Sequence, residues 1–213
     1  MLENIENKFN FIYPEVYKKL HDENMLNWGD LGPNWHKEVY PNIRTNPPFL
    51  LFSNDFKIIP ITDINKETEK IIQRIGSSPK IIPFGKDGVG NIYNLNYAEN
   101  SGLDSVCILN RDDSLIKLAK NLEDFIFREL LASCTQINPD DIEDEEEFNQ
   151  DLLAMLESHK PYLTPPRYNL LSSIYKKPIT EEDGELGKIA IDEYFKILDQ
   201  EISFPEINKK IQI

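Results

Sequence analysis

Cysteine is nearly absent from this chain: Cys107 and Cys134 are the only two in 213 residues. They lie far apart, so no disulfide scaffold is implied, and Cys107 sits in an apolar strand pattern where a thiol behaves as a small hydrophobe. Histidine is as sparse. His21, His36 and His159 are scattered and neither cysteine has a second ligand nearby, so the spacing suits no metal and no cofactor is expected. Long apolar runs are missing too; none approaches the roughly 20 residues that cross a bilayer. Met1 to Asn10 carries Glu3 and Glu6 where a secretory signal would need a basic start, which leads us to expect a cytoplasmic protein without membrane contact.

Positive charge is short, with 23 Lys and Arg against 37 Asp and Glu, a net charge of −14. The imbalance is uneven. Residues 1–138 hold 19 acidic and 15 basic side chains, net −4, whereas 139–213 hold 18 and 8, net −10. A field of that sign repels phosphate backbones and anionic lipid, which disfavours nucleic acid as a partner, and it speeds encounter with a basic one.

The usual catalytic signatures are missing as well. There is no Gly-x-Ser-x-Gly elbow and no His-Glu-x-x-His pair, and both cysteines lie in apolar sequence that would raise a thiol pKa. The run Gly85-Lys86-Asp87-Gly88-Val89-Gly90 is not a phosphate loop, because strand-forming residues follow it and no helix N-terminus is offered. Asp112 and Asp113 fall in a turn, where Asp is favoured for local backbone hydrogen bonding. A small hydrolase using paired carboxylates would need a deep pocket joining acids of shifted pKa. Residues 139–147 hold seven carboxylates in nine positions without the central glycine of a calcium loop. They read as a linker and as a solvated or partner-facing surface.

What is present is patterned. Leu2, Ile5 and Phe9, then Val16, Tyr17 and Leu20 after Pro14, predict a short helix pair ending near Met25. Glycines and prolines make 27–48 loop-like, and its Trp28 and Trp35 read as lids on a core rather than a ligand cradle. Segments 49–52 and 56–59 read as strands around a turn at Asn54-Asp55. Asn65 is placed as the cap of a helix that buries Ile64, Ile71, Ile72 and Ile75 and stops at Gly76. Next comes a hairpin: Ile81 and Ile82 on one side and Ile92, Tyr93 and Leu95 on the other flank Gly85, Gly88 and Gly90. Strands follow at 106–109 and 115–118, the latter read as the last. Asn121 then caps a helix with Leu122, Phe125, Ile126 and Leu130 on one face. Beyond the acidic run, Phe148, Leu152, Met155 and Leu156 mark one helix, 167–175 a second and 186–198 a third. The order gives an α+β fold in which helices cover an antiparallel sheet.

Three stretches in order resemble the SUKH superfamily, in its Smi/Knr-like branch, across roughly residues 10–135. They are Tyr13-Pro14-Glu15-Val16-Tyr17-Lys18-Lys19-Leu20, then Ile82-Pro83-Phe84-Gly85 leading to Asp87-Gly88-Val89-Gly90-Asn91, and Leu118-Ala119-Lys120-Asn121-Leu122-Glu123-Asp124-Phe125-Ile126. The resemblance implies a single twisted antiparallel sheet covered by helices and no catalysis. It also implies an immunity protein that binds and neutralises a cognate polymorphic toxin, or a regulatory scaffold of the fungal cell-wall type. Two domains are expected: a SUKH-like unit over 1–138, and over 139–213 an acidic linker with a helical extension packed on the core. Pro83, Gly85, Asp87, Gly88, Gly90 and Asn91 are expected to serve the fold. The candidate contacts to a protein partner, a basic nuclease toxin among the possibilities, are Asp141, Glu143, Asp144, Glu145, Glu146 and Glu147, with Asp112 and Asp113 as further choices. Oligomeric state has no signature in the sequence.

Overall fold

A computed structural model describes residues 1–98, 102–142, 144–182 and 184–211, with the backbone alone at Asp141. The helices are α1 (Leu2–Phe9), α2 (Glu15–Asp22), α3 (Trp35–Glu38), α4 (Tyr40–Ile43), α5 (Ile64–Ile75), α6 (Leu122–Ala132), α7 (Glu145–His159), α8 (Pro165–Tyr175) and α9 (Ile191–Ile202). The strands are β1 (Lys57–Ile58), β2 (Lys80–Lys86), β3 (Ile92–Tyr97), β4 (Leu103–Leu109), β5 (Leu115–Ala119), β6 (Thr180–Glu182), β7 (Glu185–Gly187) and β8 (Lys210–Ile211). Contacts divide the chain into two units, one of Met1–Asn27, Asp55–Phe125 and Phe204–Ile213, the other of Trp28–Asn54 and Ile126–Ser203.

The first unit is built on a six-stranded antiparallel sheet in the order β1-β2-β3-β4-β5-β8. Alternation along β3 sends neighbouring side chains to opposite faces. On one face Tyr93 meets Phe56, Phe84 and Phe125 with ring centroids 5.4 to 6.4 Å apart. On the other, Ile92 packs against a buried cluster of Ile71, Ile81, Cys107, Leu109 and Leu115. Tyr13 stacks on Tyr17 at 4.4 Å, and the Tyr97 hydroxyl donates to the Ile12 carbonyl at 3.0 Å, which fixes the α1–α2 pair. Helix α5 ends at Gly76, where φ is +89°, a left-handed conformation that glycine adopts without steric cost.

Four details differ from the sequence expectations in this unit. Only Lys57–Ile58 of the segment 56–59 forms strand, paired with Lys86 and Gly85. Helix α5 begins at Ile64, so Asn65 lies inside its first turn and caps nothing. Ile72 is 37% exposed because Ile64 and Ile71 set the buried stripe. Strand β5 is not the last, since Ile211 and Lys210 pair with Leu115 and Ile116.

The second unit is mostly helical. Its buried helical residues include Phe127 and Leu130 of α6, Leu152, Met155, Leu156 and His159 of α7, Leu171, Ile174 and Tyr175 of α8, and Tyr194, Ile197 and Leu198 of α9. The Tyr175 hydroxyl donates to the Leu130 carbonyl at 2.8 Å, and the Arg167 guanidinium lies 4.9 Å over the Phe127 ring. Segment 49–52 is a turn and not the expected strand. Leu50 takes φ +54°, and its N–H donates to His159 Nε2 at 3.0 Å instead of to a ladder. The expected helix over 186–198 starts only at Ile191, because Glu185–Gly187 pairs with Thr180–Glu182 as a hairpin. The whole is an α+β fold with an antiparallel sheet and C-terminal helices. No helix among the described residues is long and apolar enough to cross a membrane.

Candidate functional site

The six motif residues fall in or beside the β2–β3 turn. Pro83 lies where β1 no longer pairs with β2, so its missing N–H breaks no ladder on that side. Gly85 is buried; a Cβ there would come within 2.4 Å of the Phe56 ring. Asp87 closes the turn, its carboxylate accepting from the Asn91 backbone and side-chain nitrogens at 2.7 Å each. The Asn91 side-chain oxygen accepts in turn from the Arg111 N–H at 3.1 Å. Gly88 gives its N–H to the Asp55 carboxylate at 2.6 Å, an approach that a Cβ 2.8 Å from the same oxygen would obstruct. Gly90 takes φ +93°. These contacts are local and hold the hairpin.

The candidate partner residues divide between the units. Asp112 and Asp113 occupy the β4–β5 turn of the first. Asp112 accepts from the Ser114 hydroxyl at 2.6 Å and its N–H at 3.0 Å, bonds that hold its carboxyl below the ordinary range. Asp113 accepts from Arg74 Nε. Both acids thus have local partners.

The others belong to the second unit, and the acidic run has structure of its own. Asp141 ends a 3-10 turn, Pro139–Asp141, and Glu143 lies outside the described residues. Asp144 caps α7, accepting from the Glu147 N–H at 3.0 Å, and Glu145, Glu146 and Glu147 fill the first turn. Carboxylates are favoured there by the positive end of the helix dipole, which explains how so dense an acidic run starts a helix.

Two of these residues, Asp144 and Glu147, line a groove of about 650 Å³ whose wall also holds Asp140 and Asp151. The rest of the lining is mostly aromatic: Trp28, Trp35, Tyr40, Phe52 and Phe148, with His36 and Leu51. Helices α3 and α4 carry Trp35 and Tyr40, whose ring centroids are 5.5 Å apart. Both indole N–H groups are used internally, Trp28 donating to the Phe49 carbonyl at 3.1 Å and Trp35 to the Trp28 carbonyl at 2.7 Å. The rings are thereby held in place. Arg44, from the residue after α4, donates through Nε to Asp151 at 2.6 Å and through Nη1 to Glu147. The Asp151 bond raises the Arg44 pKa further above its ordinary value, so this cation is permanent. Tyr40 donates to the second Asp151 oxygen at 3.3 Å; burial, and then the Asp151 charge, push its hydroxyl pKa up. No partner of the Asp140 carboxylate is seen among the described residues. A smaller cavity of about 310 Å³ beside the β6–β7 hairpin has no aromatic ring in its lining.

Trp28 is buried at 7% exposure, as expected of a lid packed on a core, and it and Trp35 also line this groove. Sequence reasoning missed Tyr40, Arg44, Phe52, Asp140, Phe148 and Asp151 as site residues. A signal existed in the clustering of aromatic residues within 27–52, but nothing local joins that segment to α7. No group of three or more His, Cys, Asp or Glu able to hold a metal occurs among the described residues. Burial raises both cysteine thiols well above their ordinary pKa.

The model of the SMI1 / KNR4 family (SUKH-1) matches residues 1–128. The chain belongs to this family. SUKH proteins include protein-binding immunity proteins as well as Smi1/Knr4 members, so a protein partner is consistent with the family. The SUKH match spans the β2–β3 motif, helices α1 to α5 and the start of α6, and it stops before the acidic run. Comparison with curated proteins and with solved structures gave no match.

Proposed function

We propose that this SUKH protein is a cytoplasmic immunity protein that binds a cognate bacterial toxin domain of basic surface and neutralises it without catalysis. The observation that carries this reading is the groove of the second unit, where four carboxylates share a wall with aromatic rings and a single arginine offsets part of their charge. Glu145 and Glu146 extend the acidic surface in solvent beside it. Complementary charge chiefly raises association rate and selects partners, which is what an inhibitor of a fast-acting toxin needs. The inert, buried thiols support a binding role, since neither offers a nucleophile. The acidity of the groove favours toxin neutralisation over a regulatory scaffold.

The test is capture of any toxin domain found encoded beside this gene. With Glu145→Lys and Glu146→Lys combined, we expect association at low salt to slow about ten-fold and its salt dependence to flatten. Capture with unchanged rate and salt dependence would remove the electrostatic basis of the proposal.

A further inference from the structure

The geometry points to a defined occupant for the groove: an arginine side chain presented by the protein partner. The inference rests on the proposed binding function and adds the chemistry by which the groove recognises its target. The groove is rich in acceptors and π-systems and poor in donors. The two indole N–H groups are consumed by backbone carbonyls, and the Tyr40 hydroxyl donates to Asp151. Apart from the exposed His36 ring, what remains toward a ligand is carboxylate oxygen and aromatic surface, which suits a group that only donates. An arginine guanidinium has five N–H donors, no acceptor, and a planar cation that stacks on aromatic rings. A phosphate or a carboxylate would meet repulsion from the four carboxylates of the wall.

The chain carries its own demonstration of that chemistry. Arg44 binds Asp151 and Glu147 and places its guanidinium carbon 6.0 Å from the Tyr40 ring centre. It neutralises one charge among four, so the wall keeps a formal charge of −3, and Asp140 stays open to a second guanidinium. The volume of about 650 Å³ takes a long side chain together with the backbone that presents it. Lysine is the weaker candidate because a compact ammonium has no plane to lay on a ring and cannot offer one carboxylate two parallel N–H bonds.

The sequence supplies an unusually direct probe. Trp28 and Trp35 are the only tryptophans and both line the groove, so indole emission of the full chain reports its occupancy. Titration with acetyl-Gly-Gly-Arg-Gly-Gly-amide is expected to give a saturable change. The citrulline counterpart, which keeps the shape and loses the charge, is expected to bind about ten-fold more weakly, and Asp140→Asn about three-fold more weakly toward the arginine peptide. Circular dichroism of Asp140→Asn checks that its fold is intact. The inference is overturned by equal responses to arginine and citrulline, by tighter binding of the lysine peptide, or by calcium chloride alone giving the same saturable change. Its failure is separable from that of the immunity reading. A Trp35→Leu chain that folds and still captures the toxin at full affinity removes the groove alone. Failure of the native chain to capture any neighbouring toxin removes the immunity reading and leaves the peptide result standing.

Discussion

Phe125→Ala is expected to lower the stability of the first unit by about 3 to 5 kcal/mol, the largest effect of any single substitution considered for that unit. Phe125 is fully buried, and its ring meets Phe84 edge-on at 5.4 Å, Tyr93 at 5.6 Å and Phe56 at 6.4 Å. Removing it strips transfer free energy and leaves a void bounded by three rigid rings, which cannot close over the gap as aliphatic chains can. The rings are tied to the hairpin motif, because the missing Cβ at Gly85 leaves the space that the Phe56 ring occupies. Urea unfolding followed by far-ultraviolet circular dichroism measures the change. Phe125→Leu is expected to lose less than half as much. A shift below about 1 kcal/mol for the alanine variant would mean that the aromatic cluster is not the centre of this core.

His159 sets the second large effect, in acid. Its ring is fully buried in the second unit, donating from Nδ1 to the Met155 carbonyl at 2.8 Å and accepting at Nε2 from the Leu50 N–H at 3.0 Å. Those roles require the neutral tautomer, and burial lowers its pKa from 6.5 to about 4, against a smaller opposing pull from Met155. In the unfolded chain the same ring takes up a proton near its ordinary pKa. Below that pH the unfolded state therefore binds more protons than the folded one, so stability falls as pH drops. The loss runs from about pH 6.5 to about pH 4 and amounts to about 3 kcal/mol. Above pH 6.5 His159 contributes no slope. Indole emission isolates the measurement, since Trp28 and Trp35 both belong to this unit. His159→Gln is expected to flatten the pH dependence between 6.5 and 4 relative to the native chain. Parallel curves for the two proteins would show that His159 is not the acid-sensitive element.

The elements with strong local chemistry were legible in the sequence, and those held by distant contacts were not. The β2–β3 hairpin was readable because glycines and strand formers alternate there, and Asn121 was readable as a cap, as its 2.8 Å bond to the Asp124 N–H shows. Helices α7 and α8 followed from apolar spacing. The segment 49–52 misled because four apolar residues in a row suit a buried strand, while the turn that forms depends on His159, more than a hundred positions away. The β8 strand, two residues long, has no periodicity to detect. The groove was half visible. Its carboxylates stood out as an acidic run, yet Arg44, Tyr40 and Asp151 meet only through folding, and no spacing within 27–48 or 139–151 announces the pairing.

The central claim is that the second unit's aromatic and carboxylate groove is the surface that receives the protein partner. Amide hydrogen exchange of the full chain, alone and saturated with a captured protein partner, tests this most directly. The expected result is slowed exchange over 35–44 and 144–151, with the β2–β3 turn at 87–91 unchanged. Protection confined to that turn or to 111–113, with the groove exchanging as freely as before, would contradict it.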